Sequence, residues 1–593
     1  MKRPVFAALA LMLLAAPAPA QAPKAPPHNI IIFVSDGLRY GSVTRENMPN
    51  MFRVKSQGVD FTNSHSLYPT ITTVNASAIA TGHYIGDTGD FGNALYVGTP
   101  MLSANGSPVP YLESNPVQTE MAQKFAGNYL GETTLIARAR AAGFATAVIG
   151  KVGPTRIQDS TAAPDGSETL ILDDFTGHEG GFGLPGWFSR AMKAAFVGAA
   201  TPATTLPDIE QQVYLMKATT RIVLPHFAES GKPFALLYWC RDPDITQHNA
   251  KDSVGEYEPG INGPSGLAAA RDADTTLGEL LAALKEQGLD KNTDVFLTAD
   301  HGFNTVTHAS TTSPSAHTDP VAPLVDTANG FLTADLANAL GLPLFDPDAA
   351  NIRVDFSTGG KVSKGNGLLG RDPGHPEVAV ASNGGSDLIY LNGADAKDTA
   401  ARIVEFLSAQ DYVSGIFVND KLGKIAGALP ISAVNLIGAA RTPVPSLYVN
   451  FRTFALNCGE PLQCTVGFGD TPLATGQGSH GALSRAETRN FMAAIGPDFK
   501  AGYADPAPVS NADIAPTLAR LAGIDLPSRG KLKGRVIGEA LVGGAAAAVS
   551  RKITASGPAA NGVRTVLDEQ AVGDTRYFDA AGFEGRTVGL VTK

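Results

Sequence analysis

Residues 29–37 read NIIIFVSDG, an unbroken apolar run from Ile30 to Val34 that stops at Ser35 and Asp36. A β-branched run with no polar alternation fits a strand covered on both faces, as in parallel sheets with helices on either side. The pattern recurs at 233–248, PFALLYWCRDPDITQH, and at 293–302, TDVFLTADHG, each time with acids and histidines where the apolar run breaks. In open α/β sheets, sites gather beyond the carboxyl ends of the strands. Asp36, Asp244, His248, Asp300 and His301 should therefore converge, joined by Thr72 and His480 from other loops. That set has the layout of a metal centre.

Working outward, short β-branched runs alternate with helical patterns through residues 29–301, which predicts an α/β fold with a central, mostly parallel sheet flanked by helices. FATAVIGK (144–151) is another buried strand. YLGETTLIARARAAG (129–143) and GLAAARDADTTLGELLAALKEQG (266–288) carry apolar residues at helical spacing, the second with Gly288 at its C-terminal cap. VNASAIATG predicts a helix starting just after Thr72, and D-x-x-x-H at Asp244 and His248 fits one helical turn or, with Pro243, a tight loop. The stretch 302–382 is rich in Gly, Pro, Asp and Ser and reads as an insertion with a short helix near FLTADLANALG. Residues 387–418 give strand, helix and strand, an accessory subdomain over the site mouth. SLYVNFRTFAL and TVGFGD bring the chain back to GSHG at His480, and SNADIAPTLARLAGI supplies a late helix.

Lys2 and Arg3, the apolar stretch Val5 to Ala16, and Ala18-Pro19-Ala20 read as a secretory signal peptide. The expected division is a signal peptide at 1–20, a linker at 21–28, a catalytic domain at 29–540 with an accessory insertion at about 302–440, and a C-terminal extension at 541–593. The destination is the periplasm or the medium of a bacterium, with no membrane span. Removing Lys2 and Arg3 takes the formal charge from −10 to −12. Such an acidic chain argues against nucleic-acid or anionic-membrane binding. A small phosphorylated substrate is still allowed, because a metal's charge can dominate locally. Cys458 and Cys464 are spaced for a small-loop disulfide, and Cys240 reads as a buried free thiol.

VSDG at Asp36, PTITTVN around Thr72, D-x-x-x-H, TADHG and GSHG together resemble the alkaline phosphatase superfamily, with the type I phosphodiesterase/nucleotide pyrophosphatase branch the most similar. The resemblance runs from about residue 28 to about residue 540 and implies an alkaline-phosphatase-like fold. It also implies two Zn2+ per chain, one held by Asp244, His248 and His480 and the other by Asp36, Asp300 and His301. Thr72 would be the nucleophile, chosen over Thr70 and Thr73 because PTITTVN aligns with the family's P-x-x-T-x-P-N pattern. Val74 and Ala76 depart from that pattern. Asn93, in DFGN, stands where relatives place a donor to a phosphate oxygen.

Lys151 and Arg156, in GKVGPTR, lie near where some phosphomonoesterases of the superfamily keep a Lys and an Arg for a terminal phosphate, at a different spacing. Lys151 is carried forward as a catalytic residue. His83, His308 and His317 are expected to pack or face solvent, and His28, His65, His178, His226 and His375 have no spacing partner. The implied activity is an exported zinc-dependent phosphoric ester hydrolase with a covalent phospho-threonine intermediate, leaning towards phosphodiester or nucleotide pyrophosphate substrates. Alkaline phosphomonoesterase, phosphonate hydrolase and a non-catalytic binding protein are the alternatives. Sulfatase chemistry is disfavoured because CRDPD, CGEPL and CTVGF lack the C-x-P-x-R signal.

Overall fold

The computed structural model describes residues 28–195, 198–318, 325–355 and 360–592. The expected signal peptide and nearly all of the expected linker lie outside them.

The central sheet has eight strands, in the order Tyr503–Asp505, Val59–Phe61, Met492–Ile495, Thr293–Thr298, Asn29–Ser35, Phe234–Cys240, Ala145–Gly150 and Leu170–Asp173. Seven run in one direction, and Met492–Ile495 opposes both of its neighbours. The Asn29 strand is central, pairing Ile32 with Leu237 on one side and Phe296 on the other. Its side chains split between two cores. Ile30, Ile32 and Val34 join one, Ile31 and Phe33 the other. This is why the run is apolar throughout. Each large side chain so buried contributes roughly 1.5–3 kcal/mol, and Ile32→Ala would cost about 2–5 kcal/mol.

Helices cover both faces. Thr72–Thr81, Leu135–Ala141 and Ile514–Ala522 pack on the first core, Pro49–Gln57, Ile209–Ala218 and Pro264–Glu286 on the second. Pro264–Glu286 presents Ala270, Ala273, Leu277, Leu280 and Leu284 at three- and four-residue spacing. Just beyond its end Gly288 has φ +69°, a conformation glycine adopts without a Cβ penalty.

A second eight-stranded sheet spans Leu344 to Phe451, so the accessory region is larger than the strand–helix–strand unit alone suggests. That unit is present as Ser386–Leu391, Ala396–Ser408 and Val413–Val418, but its strands are not neighbours. Leu447–Phe451 inserts between them, antiparallel to both. One face of this sheet carries Phe331–Leu340 and Ala396–Ser408. The other face, with Ala379, Leu388, Phe417 and Tyr448, packs with Val74 and Ala78. Thr72–Thr81 is therefore held between two cores and all ten of its residues are buried. The C-terminal strands Val549–Ala555, Val566–Val572 and Thr575–Gly582 form an antiparallel sheet that adds Leu567, Phe578 and Ala581 to the same core. The alternation there is faint because the first strand is an exposed edge.

Among the described residues no helix is long and apolar enough to cross a membrane. Cys458 and Cys464 form a disulfide, and Cys240 is buried and free, its thiol pushed up by burial.

Candidate functional site

Three neighbouring strands deliver the first carboxylates. Asp36 follows Asn29–Ser35, its amide donating to Cys240 O at 3.0 Å, and its carbonyl accepts the Asp244 amide at 3.1 Å. Gly37 then turns with φ +69°, where a Cβ would meet the Phe303 ring at 2.9 Å and Asp244 Cβ at 3.2 Å. The turn needs glycine, which explains the G of VSDG. Asp244 opens a short helix, Asp244–Asn249, so the choice between helical turn and tight loop falls to the helix, with His248 one turn on. Asp300 and His301 follow Thr293–Thr298, and Asp300 Oδ1 accepts the amides of Gly37 and His301, both at 3.0 Å.

These residues form the two sets expected of them. The ligand-type atoms of Asp244, His248 and His480 lie within 4.8 Å of one another, as do those of Asp36, Asp300 and His301. Each of the three histidines donates its Nδ1–H to a backbone carbonyl: His248 to Gly478 at 2.8 Å, His301 to Gly302 at 2.9 Å and His480 to Thr70 at 2.8 Å. A carbonyl only accepts, so each Nδ1 carries a proton and each Nε2 is the ring atom turned to the carboxylates. His248 Nε2 is 3.2 Å and His480 Nε2 3.6 Å from Asp244 Oδ1, and His301 Nε2 is 3.2 Å from Asp300 Oδ2.

Asp36 Oδ1, Asp244 Oδ1 and Asp300 Oδ2 are buried and accept no hydrogen bond. Leaving a buried carboxylate oxygen unpaired is costly. One such oxygen at each carboxylate, facing imidazole Nε2 atoms, fits a divalent cation in each set. Burial, then the neighbouring Asp244 and Asp300, raises Asp36 well above the usual carboxylate range, and burial raises Asp300. Burial also works against ionising Asp244, but Lys151 and His248 overcome it and hold its pKa well below that range. His480 is pushed well down by burial and by the two other imidazoles, which keeps it neutral and ligand-competent.

Thr72 is the first residue of its helix, and its Oγ1 lies 3.3 Å from His301 Nε2 and 3.4 Å from Lys151 Nζ. Thr70 and Thr73 point elsewhere. Thr70 Oγ1 donates to Glu487 at 2.8 Å and Thr73 Oγ1 to Asp90 at 3.0 Å. Asn93 stands beside Thr72, its Oδ1 accepting the Thr73 amide at 3.0 Å. Lys151, just after Ala145–Gly150, reaches Asp36 Oδ2 at 3.0 Å and Asp244 Oδ2 at 3.3 Å. Burial disfavours its charge, but Asp244, Asp36 and Glu113 raise its pKa well above the ordinary lysine value.

Arg156 is not brought in. Its guanidinium donates to Ala162 O and sits 5.0 Å from the Phe182 ring centre. His83 pairs with Asp87 at 2.9 Å and His308 contacts Leu473 O at 2.7 Å, both in packing roles.

Sequence reasoning missed four supporting residues. Glu113 accepts from Asn93 Nδ2 at 3.2 Å and lies 3.4 Å from Lys151 Nζ. Trp239 Nε1 donates to Asp36 Oδ2 at 2.7 Å. Glu487, raised to about 7 by burial, takes the Thr70 hydroxyl and so steadies the carbonyl that orients His480. Asn511, at the start of the late helix, donates to Asp300 O at 2.8 Å. Trp239 carried a signal, since a buried indole N–H needs an acceptor, and Asn511 lies in the SNADIAPTLARLAGI segment that reads as the late helix.

The sequence profile of the type I phosphodiesterase/nucleotide pyrophosphatase family matches residues 30–337. The match takes in Asp36, Thr72, Asp244, His248, Asp300 and His301. His480 lies beyond it and is joined to the set by the fold. With just over half of the sequence matched and the central sheet in place, the chain belongs to the type I phosphodiesterase/nucleotide pyrophosphatase family, a branch of the alkaline phosphatase superfamily with its fold.

Proposed function

We propose that this protein is an exported hydrolase of phosphodiesters or nucleotide pyrophosphates that works through a phospho-threonine at Thr72. The family is one of phosphoric ester hydrolases. One observation carries the reading: two ligand sets have unpaired buried carboxylate oxygens, and His301 of one lies 3.3 Å from a buried threonine hydroxyl at a helix start. Asp244, His248 and His480 would hold one zinc, and Asp36, Asp300 and His301 the other. When bound, such ions supply Lewis acidity and neutralise charge on the phosphoryl oxygens.

The chain's own residues do the rest. Thr72 Oγ1 attacks phosphorus in line, the new O–P bond forms as the bond to the leaving group breaks, and the group is parked on the threonine. Lys151, 3.4 Å from Thr72 Oγ1, favours the alkoxide over the alcohol. The amino end of Thr72–Thr81 and Asn93 Nδ2, which donates to Glu113 at 3.2 Å, stand beside Thr72 and would turn to the non-bridging oxygens. Water then attacks the same phosphorus, breaks the Thr72 Oγ1–P bond and restores the hydroxyl. Two inversions give net retention. Export is supported by the leader-like first 20 residues and by the Cys458–Cys464 disulfide. The large second sheet supports an inserted accessory domain that braces the nucleophile helix.

A monoesterase reading is favoured by one specific contact. Lys151 beside Thr72 could hold the additional anionic oxygen of a terminal phosphate. Parallel assays with p-nitrophenyl phosphate and bis(p-nitrophenyl) phosphate decide between the two, together with metal analysis. A diester preference with at least two zinc ions per chain supports the proposal. A protein that turns over neither ester after zinc reconstitution overturns it.

A further inference from the structure

The Asn29 and Thr293 strands carry ligand-type residues at both ends. At their amino ends, His28 precedes the first strand and Asp294 sits in the second, with Ile30 paired to Asp294. Asp498, after the antiparallel strand Met492–Ile495, completes a group whose ligand-type atoms lie within 4.8 Å of one another. His28 Nδ1 is 2.8 Å from Asp498 Oδ2 and 3.7 Å from Asp294 Oδ2. A strand of seven residues separates this group from Asp36, roughly 20 Å at about 3.3 Å per residue.

Asp294 is fully buried. Its Oδ1 accepts the Asp498 amide at 3.2 Å, but its Oδ2 faces His28 and accepts no hydrogen bond. The same orphaned oxygen marks each carboxylate of the catalytic sets. Gly496 makes the approach possible, because a Cβ there would meet Asp294 Oδ1 at 2.3 Å. The other His–carboxylate group, His83, Asp87 and Glu132, is built differently. Asp87 accepts the amides of Ala439 and Leu532, and Glu132 those of Arg529 and Gly530, so each of their oxygens is occupied. It reads as a hydrogen-bonded knot.

We propose that His28, Asp294 and Asp498 form a separate structural zinc site at the amino ends of the central strands. One imidazole nitrogen and two carboxylate oxygens suit zinc, whereas calcium prefers all-oxygen sets. The His28 and Asp498 side chains are 30% and 33% exposed, which leaves water to complete the coordination. The ion clamps the start of the chain's first strand to the loop that carries Asp498.

The test is isothermal titration of Zn2+ into EDTA-treated protein, comparing wild type with His28→Ala and with Asp498→Asn. Both replaced side chains are partly exposed, so the fold should survive, and circular dichroism checks it. Wild type should take up one more zinc per chain than either variant. Zinc should also raise its Tm further than theirs, while diester turnover stays the same in all three. Equal zinc uptake by folded wild type and variants overturns the site, whatever the catalytic sets hold. So does an equal zinc-dependent rise in Tm.

Discussion

The two ends of the Asn29 and Thr293 strands use the same residue types to different effect. At the carboxyl ends Asp36, Asp300 and His301 are fully buried, and Thr72, Lys151, Asp244, His248 and His480 crowd around them. At the amino ends only Asp294 is fully buried, and among the described residues no threonine hydroxyl or lysine is in the group's contacts. Burying carboxylates is tolerable only with compensating charge. In the proposed reading the carboxyl end gathers enough charge to lower a barrier electrostatically. The amino end, half open with three ligands, suits an ion that holds the fold.

The largest test of this contrast is Thr72→Ala. Turnover should fall by at least about a thousandfold, as when other hydrolases lose their nucleophile, with zinc content unchanged, while Thr72→Ser keeps part of the rate. Full activity in the alanine variant would end the covalent reading. Asp300→Ala or His480→Ala should come next, each weakening zinc binding by more than the roughly 10–100-fold typical of losing an outer partner. Metal analysis after dialysis would detect it. If His28→Ala slows turnover as much as they do, the two ends are not functionally distinct.

Lys151→Ala should have a narrower effect. If Lys151 holds a monoester's extra oxygen, kcat/KM for p-nitrophenyl phosphate should fall by about 1.5–3 kcal/mol more than for the bis-ester. Equal losses would make Lys151 a positioning group for Asp36 and Asp244, both of which it contacts.

The smallest effect lies away from both ends, where His65 Nε2 meets Asp579 on the C-terminal sheet at 2.9 Å. Burial, then Arg485, lowers the His65 pKa, so the unfolded chain takes the proton first as pH falls below about 6.5. Asp579 is buried too, but His65 and Arg485 hold it well below the usual range, so its contribution is lost only at more acidic pH. Both signs agree: Tm should decline on acidification even with zinc in excess, and more gently in His65→Asn. An identical slope in that variant would assign the acid sensitivity to the metal sites.

Where local pattern determines structure, the sequence was readable. The three apolar runs became neighbouring strands because residues buried on both faces must be apolar along their whole length. The Pro264–Glu286 helix and the short Phe331–Leu340 helix followed from periodicity and a terminal glycine. The family profile bears out the superfamily recognised from VSDG, TADHG and GSHG.

The partners of those residues were decided only in three dimensions. Leu447–Phe451 inserts between two strands that look consecutive in the chain, because strand order is a long-range choice that no local run encodes. Glu113 approaches Lys151, Glu487 supports Thr70, Arg156 turns away to Phe182, and His28, unassigned in the sequence, faces Asp294 on the neighbouring strand. By itself the sequence determined the central apolar strands and the periodic helices and offered candidate metal-binding and nucleophile side chains, since periodicity and residue chemistry are local. Only the tertiary structure decided which of them meet, because burial and electrostatics depend on neighbours hundreds of residues away.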